Sequence, residues 1–206
     1  MNKAAFLDRD GVINRKPPEG QYVTRWDELH FLPGVAPAIA LLNQAGFRVI
    51  VVSNQRCVAK GLITSAGLQA LHQRMSRALA GAGATIDGAY YCPHEKEPAC
   101  SCRKPAPGML LEAAHTHEID LNASWMIGDS KIDVEAGRNA GCKTAQLLSA
   151  DEAADGDADV VAPSLLDVIH QILRREGTFA NRLMPNQHDD PDVSLPAAAC
   201  TSREAM

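Results

Sequence analysis

Short apolar runs alternate with longer amphipathic segments along most of the chain. Runs rich in β-branched residues predict buried strands at 4–7, 47–52, 88–92, 124–128, 144–148 and 159–162. Apolar residues spaced three and four apart predict helices at 35–45, 64–79, 109–117, 132–140 and 164–175. Such alternation is typical of parallel strands joined by crossover helices that cover the sheet. The expected fold class is therefore α/β, with a mainly parallel sheet flanked by helices.

The helical periodicity ends near residue 175. Between 176 and 206, proline, asparagine and aspartate are spread through a stretch that has few residues to bury. We therefore expect one domain at 1–175 and a flexible C-terminal tail at 176–206. Cys200 falls in this tail, where we expect a free surface thiol.

The composition is that of a globular chain, and it restricts the choice of partners. Hydrophobic residues make up 46% and charged residues 22% of 206 residues, which excludes a fibrous or fully disordered protein. Because 20 Lys and Arg face 25 Asp and Glu, no net basic field favours nucleic acid or a membrane. The apolar runs are too short to span a bilayer, and the first residues do not resemble a signal peptide. We expect a cytoplasmic protein. Its oligomeric state stays open, and the sequence is compatible with a monomer.

Polar side chains stand where the predicted strands end. Asp8 and Asp10 follow the first strand, Ser53 and Asn54 close the second, and Asp129 follows the fourth. Each is an ordinary strand-end or capping residue when taken alone. In a doubly wound sheet, however, ligands collect at the carboxyl ends of the strands. Taken together, these residues predict a site for phosphate and a metal ion.

The chemistry of a phosphate ester assigns a different role to each of these groups. Asp8 can attack phosphorus, but carboxylate and phosphate are both anionic, so a divalent cation has to neutralise their approach. Asp129 can complete an oxygen-rich Mg²⁺ site with Asp8. Lys104 would offset charge on the transferring phosphoryl group, and the Ser53 hydroxyl would donate to its oxygens. Asp10 is then left to protonate the leaving oxygen and to deprotonate the hydrolytic water.

Three thiols and one imidazole are crowded into residues 92–102. The four candidate ligands are Cys92, His94, Cys100 and Cys102. Disulfides are rare in a reducing compartment, and a Cys₃His set is typical of a closed, structural Zn²⁺ site. Because this segment directly precedes Arg103 and Lys104, a bound zinc would hold both cations over the site.

Two further histidines compete with His94 as the fourth ligand. His115 and His117 lie on the predicted helix at 109–117, where they are expected to be exposed polar residues. His94 is therefore the expected ligand.

Four short motifs resemble the haloacid dehalogenase superfamily of aspartate-nucleophile phosphatases. They are Asp8-Arg9-Asp10-Gly11-Val12, the strand end at 49–53, Arg103-Lys104-Pro105, and Gly128-Asp129-Ser130-x-x-Asp133. The resemblance implies a Rossmann-like three-layer α/β/α sandwich with a minimal cap and Mg²⁺ dependence. It implies that Asp8 is the nucleophile, that Asp10 is the general acid and base, and that both join Asp129 as magnesium ligands. Asp133 would act from behind, orienting Lys104 or a metal-bound water.

A zinc loop placed directly before Arg-Lys-Pro is similar to one branch of that superfamily, which includes heptose bisphosphate phosphatases and histidinol-phosphate phosphatases. The resemblance covers residues 3 to about 148. It implies a small phosphorylated metabolite as the partner. The expected substrate is D-glycero-D-manno-heptose 1,7-bisphosphate, and the group removed is its 7-phosphate. The residues expected to bind the substrate are Asn54, Gln55, Arg56 and Arg103. Of these, Arg103 can hold a second anionic group with two hydrogen bonds, which suits a bisphosphate.

Two alternatives stay open. Only five residues separate His94 from Cys100, and such a short loop favours histidinol phosphate as the substrate. The second alternative is a catalytically silent module that binds zinc and a phosphosugar, because intact motifs do not prove turnover.

Overall fold

A computed structural model of the chain describes residues 1–97, 99–148 and 157–177. In these residues the strands are β1 (Lys3–Leu7), β2 (Phe47–Asn54), β3 (Gly88–Cys92), β4 (Trp125–Gly128), β5 (Lys143–Leu147) and β6 (Val160–Ala162). The helices are α1 (Val35–Gln44), α2 (Ser65–Gly81), α3 (Gly108–His117), α4 (Lys131–Ala140) and α5 (Leu165–Arg175). Every predicted strand and helix is present, with its ends within two residues of the expected positions. Two short 3₁₀ turns, Trp26–Glu28 and Leu121–Ala123, were not predicted from the periodicity.

The six strands form one parallel sheet in the order β3-β2-β1-β4-β5-β6. The chain builds outward from β1 to β3 and then returns to place β4 on the other side of β1. Leu7, at the end of β1, is therefore in register with Val51 on one side and Ile127 on the other. Strand order reverses between β1 and β4, and such a reversal opens a crevice at the carboxyl ends of the strands. Asp8 and Asp129 are the residues that follow these two strands.

Alternate residues of the strands feed two separate apolar cores. Leu7 and Val51 pack with residues of α1, α2 and α5, whereas Phe6 and Ile50 pack with residues of α3 and α4. Successive side chains of a strand point to opposite faces, so a sheet that is buried on both faces needs continuous apolar runs. The expected three-layer α/β/α sandwich is confirmed.

The C-terminal helix is tied to the sheet at its end. Glu176 follows α5, and its Oε1 accepts hydrogen bonds from Lys143 Nζ at 2.8 Å and Trp125 Nε1 at 3.4 Å. The tail predicted at 176–206 lies outside the described residues from 178 onward. Among the described helices, none has the length and apolar character needed to cross a bilayer.

Helix α4 approaches the sheet closely at Gly137. A Cβ atom added there would lie 2.6 Å from Met126 Cβ on β4 and 2.9 Å from Thr144 Cγ2 on β5. Both neighbours are buried, so neither has room to move away. The absence of a side chain at this position therefore sets the distance from α4 to β4, which Asp129 follows, and to β5.

We expect Gly137→Ala to lower the free energy of unfolding by about 1–3 kcal/mol, because the added methyl group overpacks a rigid contact. Gly81→Ala is the matched control, since it also lies in a helix but has nothing within 4 Å of an added Cβ. That variant should be unchanged, or more stable by up to about 1 kcal/mol, because alanine has the higher helix propensity. Denaturant unfolding measures both. Equal effects in the two variants would contradict the close approach.

Candidate active site

Three carboxylates meet at the crevice between β1 and β4. Asp8 and Asp129 follow the two strands, and Asp133 reaches the same place from the first turn of α4. One oxygen from each of the three lies within 4.8 Å of the others. The loop after β1 comes close to Asp129 because Gly11 has a φ of +92°, and a Cβ there would overlap the Asp129 carboxylate. Carboxylate oxygens in this arrangement can hold a hard cation such as Mg²⁺.

A buried ammonium group lies among these carboxylates. Lys104 Nζ is 2.9 Å from Asp8 Oδ1 and 2.7 Å from Asp133 Oδ1, and it donates to the carbonyl oxygen of Val52 at 2.9 Å. Asn54 holds the lysine backbone from both sides, because its amide donates to Lys104 O and its Oδ1 accepts from Lys104 N, both at 3.1 Å. The predicted meeting of Lys104 with Asp8 and Asp133 is therefore seen in the structure.

Asp133 is fixed from the side opposite Lys104. Its Oδ2 accepts hydrogen bonds from the backbone N–H of Ser130, at 3.2 Å, and from the Ser130 hydroxyl. A Cβ at Gly128 would overlap the Asp133 side chain, so this strand end admits only glycine. The expected supporting position of Asp133 behind Lys104 agrees with these contacts.

Burial and nearby charges shift the pKa values of the titratable side chains in the site. Burial raises the pKa of Asp8 from 3.8 to about 7, although the Lys104 charge opposes this shift. Burial also raises the pKa of Asp129. For Lys104, burial alone would lower the pKa, but the charges of Asp133 and Asp8 outweigh it and raise the pKa. Burial therefore holds Asp8 and Asp129 toward their neutral forms, and a divalent cation bound between them would favour the ionised forms.

Lys16 joins the site without having been predicted. Its Nζ lies 2.7 Å from Asp129 Oδ2, while 60% of the side chain remains exposed. Burial acts to lower the Lys16 pKa, but the hydrogen bond and charge of Asp129 outweigh this effect and raise it. Lys16 belongs to an irregular, proline-containing segment, where no periodicity indicates the direction of a side chain.

Asp10 differs from the expectation. Its carboxylate is not within the group formed by Asp8 and Asp129 and instead accepts from Arg9 Nε at 3.1 Å and Nη2 at 2.9 and 3.0 Å. Asn14 Nδ2 and Gln55 Nε2 also donate to it, at 2.9 and 3.0 Å. Burial would raise the Asp10 pKa, but the Arg9 charge and these hydrogen bonds lower it. A magnesium contact through the Asp10 carboxylate does not fit this geometry.

Two residues predicted to bind the substrate form hydrogen bonds inside the protein. Gln55 is 1% exposed and donates to Asp10 and to Ser53 Oγ, the latter at 2.8 Å. The Cys57 thiol lies 3.5 Å from Gln55 Oε1 and so fixes which end of the amide faces Asp10. Asn54 is engaged with the Lys104 backbone. Both side chains contact groups that are predicted to act in catalysis, and the chain pattern could not distinguish this use from contact with a ligand.

The two arginines predicted to bind the substrate each form hydrogen bonds within the protein. Arg56 donates from Nε to the Tyr22 hydroxyl at 2.9 Å and lies 3.5 Å from Glu95. Arg103 Nη1 donates to the carbonyl oxygen of His94 at 3.2 Å. Both side chains are partly exposed, which leaves guanidinium donors accessible to a ligand.

The four residues of the predicted zinc site come together. Their ligand atoms lie within 4.8 Å of one another, and neighbouring pairs are 3.3 to 3.6 Å apart. Zinc–sulfur bonds of about 2.3 Å in a tetrahedron place sulfur atoms about 3.8 Å apart, so the cluster fits this metal. His115 is exposed as expected. His117 is only half-buried, because its ring packs edge-on against Tyr90 at 6.2 Å.

The raised pKa of Asp8 predicts a dependence of stability on pH. The folded protein binds this proton more tightly than the unfolded chain, so the Asp8 contribution is favourable at low pH. It should be lost as the pH rises through the window from 3.8 to about 7. In magnesium-free buffer at pH 8, we therefore expect Asp8→Asn to be more stable than the wild type, with the difference shrinking below pH 5.

Thermal unfolding across this pH range measures the difference between the two proteins. Asp27→Asn is the control, because that side chain is 71% exposed and far less confined. A stability difference between wild type and Asp8→Asn that does not change with pH would contradict the raised pKa of Asp8.

Comparison with known proteins places these features in a family. A family model described as HAD-hydrolase-like matches residues 101–168. The D-glycero-β-D-manno-heptose-1,7-bisphosphate 7-phosphatase of Rhodopseudomonas palustris is 45% identical over 145 residues, which cover 67% of this chain and 79% of that protein. The Escherichia coli K12 protein of the same name is 38% identical over 184 residues, covering 84% of this chain and 95% of that protein.

The fold is shared with solved structures. The D,D-heptose 1,7-bisphosphate phosphatase of Bordetella bronchiseptica, complexed with magnesium and phosphate, superposes with a TM-score of 0.75 at 36% identity. The match covers 84% of this chain and 99% of that one. With these relatives and this site geometry, the chain belongs to the haloacid dehalogenase-like hydrolases and is a phosphoric monoester hydrolase.

Proposed function

We propose that the protein removes the 7-phosphate from D-glycero-β-D-manno-heptose 1,7-bisphosphate in a Mg²⁺-dependent reaction. The observation that carries the chemistry is the group formed by Asp8, Asp129 and Lys104 at the carboxyl ends of β1 and β4. The names of relatives at 38 and 45% identity support the choice of substrate. The magnesium and phosphate in the Bordetella bronchiseptica structure support the choice of cofactor.

The proposal assigns a role in the reaction to each side chain of the site. A carboxylate oxygen of Asp8 attacks phosphorus, and the bond from phosphorus to the leaving oxygen breaks. Lys104 offsets the negative charge that moves between them, and Ser53 donates to a phosphoryl oxygen. Magnesium, held by Asp8 and Asp129, would supply further neutralisation of that charge. Water then attacks phosphorus, the bond from phosphorus to the Asp8 oxygen breaks, and inorganic phosphate leaves as the Asp8 carboxylate is restored.

Asp10 carries the proton in both halves of the reaction. Its lowered pKa suits the second half, in which an ionised carboxylate takes a proton from the attacking water. In the first half, the bound phosphate brings negative charge close to Asp10, and a nearby like charge raises the proton affinity of a carboxylate. Asp10 can therefore donate a proton to the leaving oxygen while the substrate is bound.

The cluster of Cys92, His94, Cys100 and Cys102 is proposed to bind a structural Zn²⁺. All four positions of a tetrahedron are taken by protein atoms, which leaves none for a reacting water. Arg103 follows the last ligand directly, and its hydrogen bond to the His94 carbonyl ties it to the same loop. Thiolate ligands of this kind need a reducing compartment, which supports a cytoplasmic location.

Freshly purified protein should contain close to one equivalent of zinc per chain. We expect Cys102→Ser to lose this zinc, to be less stable and to turn over more slowly, because the loop before Lys104 loosens. Cys142→Ser is the matched control, since that buried thiol lies outside the cluster and should leave the zinc content unchanged. Metal analysis by mass spectrometry measures the content. A wild-type protein without zinc would contradict the proposed structural zinc site.

Arg103 is proposed to recognise the second phosphate of the substrate. It is partly exposed and next to Lys104 in sequence, and its guanidinium can hold a phosphate with two parallel hydrogen bonds. Arg103 is therefore expected to act in recognition, whereas Lys104 acts at the phosphorus that reacts.

The substrate assignment is tested by phosphate release from heptose 1,7-bisphosphate, a heptose monophosphate and histidinol phosphate. Arg103→Ala should lower kcat/KM for the bisphosphate by about 10- to 150-fold, equivalent to about 1.5–3 kcal/mol, and affect the monophosphate much less. Lys104→Ala should lower kcat/KM for all three substrates, because Lys104 is proposed to act at the phosphorus that reacts. Asp8→Asn serves as the background control without a nucleophile.

Faster hydrolysis of histidinol phosphate than of heptose bisphosphate by the wild type would overturn the substrate assignment in favour of the short-loop alternative. An Arg103→Ala effect of the same size on all substrates would overturn the role of Arg103 alone. Phosphate release from none of them would favour the silent binding module.

A further inference from the structure

A fully buried guanidinium lies behind the proton-carrying group. Arg9 stands between Asp8 and Asp10 in sequence, yet its side chain is 0% exposed. Its Nε and Nη2 atoms grip the two oxygens of Asp10 at 2.9 to 3.1 Å. A buried positive charge is costly unless it is paired and all its donors have acceptors. The remaining nitrogen, Nη1, therefore needs an acceptor on its other side.

That acceptor is a histidine of α2. His72 is 4% exposed, and its Nε2 lies 3.3 Å from Arg9 Nη1. Arginine is always protonated and has no acceptor atom, so the imidazole nitrogen must be the acceptor. The ring is therefore neutral and carries its hydrogen on Nδ1, a buried atom for which the described residues supply no hydrogen-bond acceptor. Tyr91, edge-on at 5.6 Å, confines the plane of the ring.

The contacts form a chain from α2 to the catalytic loop. His72 accepts from one end of the Arg9 guanidinium, and the other end of that rigid plane holds Asp10. Gln55 and Asn14 donate to the same carboxylate from other directions. Because a guanidinium is planar, fixing Nη1 fixes the orientation of Nε and Nη2.

We propose that His72 and Arg9 are positioning residues for proton transfer, with the neutral His72 imidazole orienting Arg9 and Arg9 in turn aiming the Asp10 carboxylate. This inference rests on the proposed role of Asp10 as general acid and base. Proton transfer requires the carboxylate to lie within hydrogen-bond reach of the leaving oxygen, so a small rotation of the guanidinium lowers the rate. Nothing else in the proposed reaction uses His72.

Leaving-group chemistry separates this role from a purely structural one. A good leaving group departs without a proton, whereas a basic one needs protonation as its bond to phosphorus breaks. Loss of the general acid therefore makes kcat/KM fall more steeply as the leaving oxygen becomes more basic. General destabilisation lowers the rate by the same factor for every substrate.

The probes are a series of substituted phenyl phosphates, from p-nitrophenyl phosphate to p-methoxyphenyl phosphate, assayed with magnesium at neutral pH. These probes do not depend on the heptose assignment. For His72→Leu, we expect kcat/KM to fall at least about tenfold more for the most basic leaving group than for p-nitrophenyl phosphate. His72→Gln should retain most of the wild-type slope, because its amide oxygen can accept from Arg9.

Two further variants complete the comparison. Asp10→Asn sets the slope expected without the general acid. Leu79→Ala, on the same helix and buried but two turns from His72, should lower stability and leave the slope at the wild-type value. A steep Asp10→Asn slope together with a wild-type slope in His72→Leu would overturn this inference alone. A wild-type slope in Asp10→Asn would overturn the proposed general acid as well.

A direct measurement covers the case in which His72→Leu does not fold. Nitrogen-15 NMR of the wild-type histidine side chains should show one neutral ring with its hydrogen on Nδ1, and this signal should disappear in His72→Gln. A His72 ring with a hydrogen on Nε2 would overturn the inference, because that nitrogen could not accept from Arg9.

Discussion

The active site depends on one buried ammonium group held between two carboxylates. Lys104 Nζ has lost nearly all contact with water, and the free energy that this costs is offset only by close contacts with Asp8, Asp133 and the Val52 carbonyl. Small displacements would leave a buried charge without partners. Much of the surrounding structure serves to keep this group in place, including the Asn54 amide that grips the Lys104 backbone on both sides.

Asp8 and Asp10 belong to one short segment, but their pKa values are shifted in opposite directions. They are two residues apart, but burial among other carboxylates raises the pKa of Asp8, while the Arg9 guanidinium lowers that of Asp10. A metal ion would bring Asp8 back to its ionised, nucleophilic form by supplying the positive charge that the free site lacks. Asp10 needs no metal for this, because Arg9 is a permanent cation beside it. The pKa of a proposed nucleophile and that of a proposed general acid and base can therefore be adjusted independently, although the two residues are only two positions apart.

The sequence predicted the elements and the strand-end groups well because both follow from local periodicity and from the rules of parallel sheets. It did not predict His72, although this residue lies within an apolar stripe of α2 formed by Leu68, Leu71 and Met75. A polar residue inside such a stripe indicates a buried partner but does not identify it. The partner, Arg9, is 63 positions away, and only the packing of α2 against the loop after β1 brings the two together.

Gln55 is predicted to bind the substrate, but in the structure it is buried and donates to Asp10 and Ser53. A polar side chain after a strand can face a ligand or turn back to support its neighbours, and the pattern of the chain is the same in both cases. Lys16 shows the same limit, since its segment has no periodicity and its contact with Asp129 depends on the turn at Gly11.

The sheet order requires a connection from β3 to the centre of the sheet, and a metal bound to the cysteine cluster would hold that connection in place. Lys104 must reach the centre of the sheet beside β1, yet the segment that carries it leaves from β3, the edge strand two positions away. A polar loop that crosses this distance gains little from burial and would lose considerable conformational entropy in holding one shape. Four ligands bound to one metal would restrict the loop at both ends, from Cys92 at the end of β3 to Cys102, two residues before Lys104. The position of Lys104, which is proposed to act on the transferring phosphoryl group, would then depend on metal coordination.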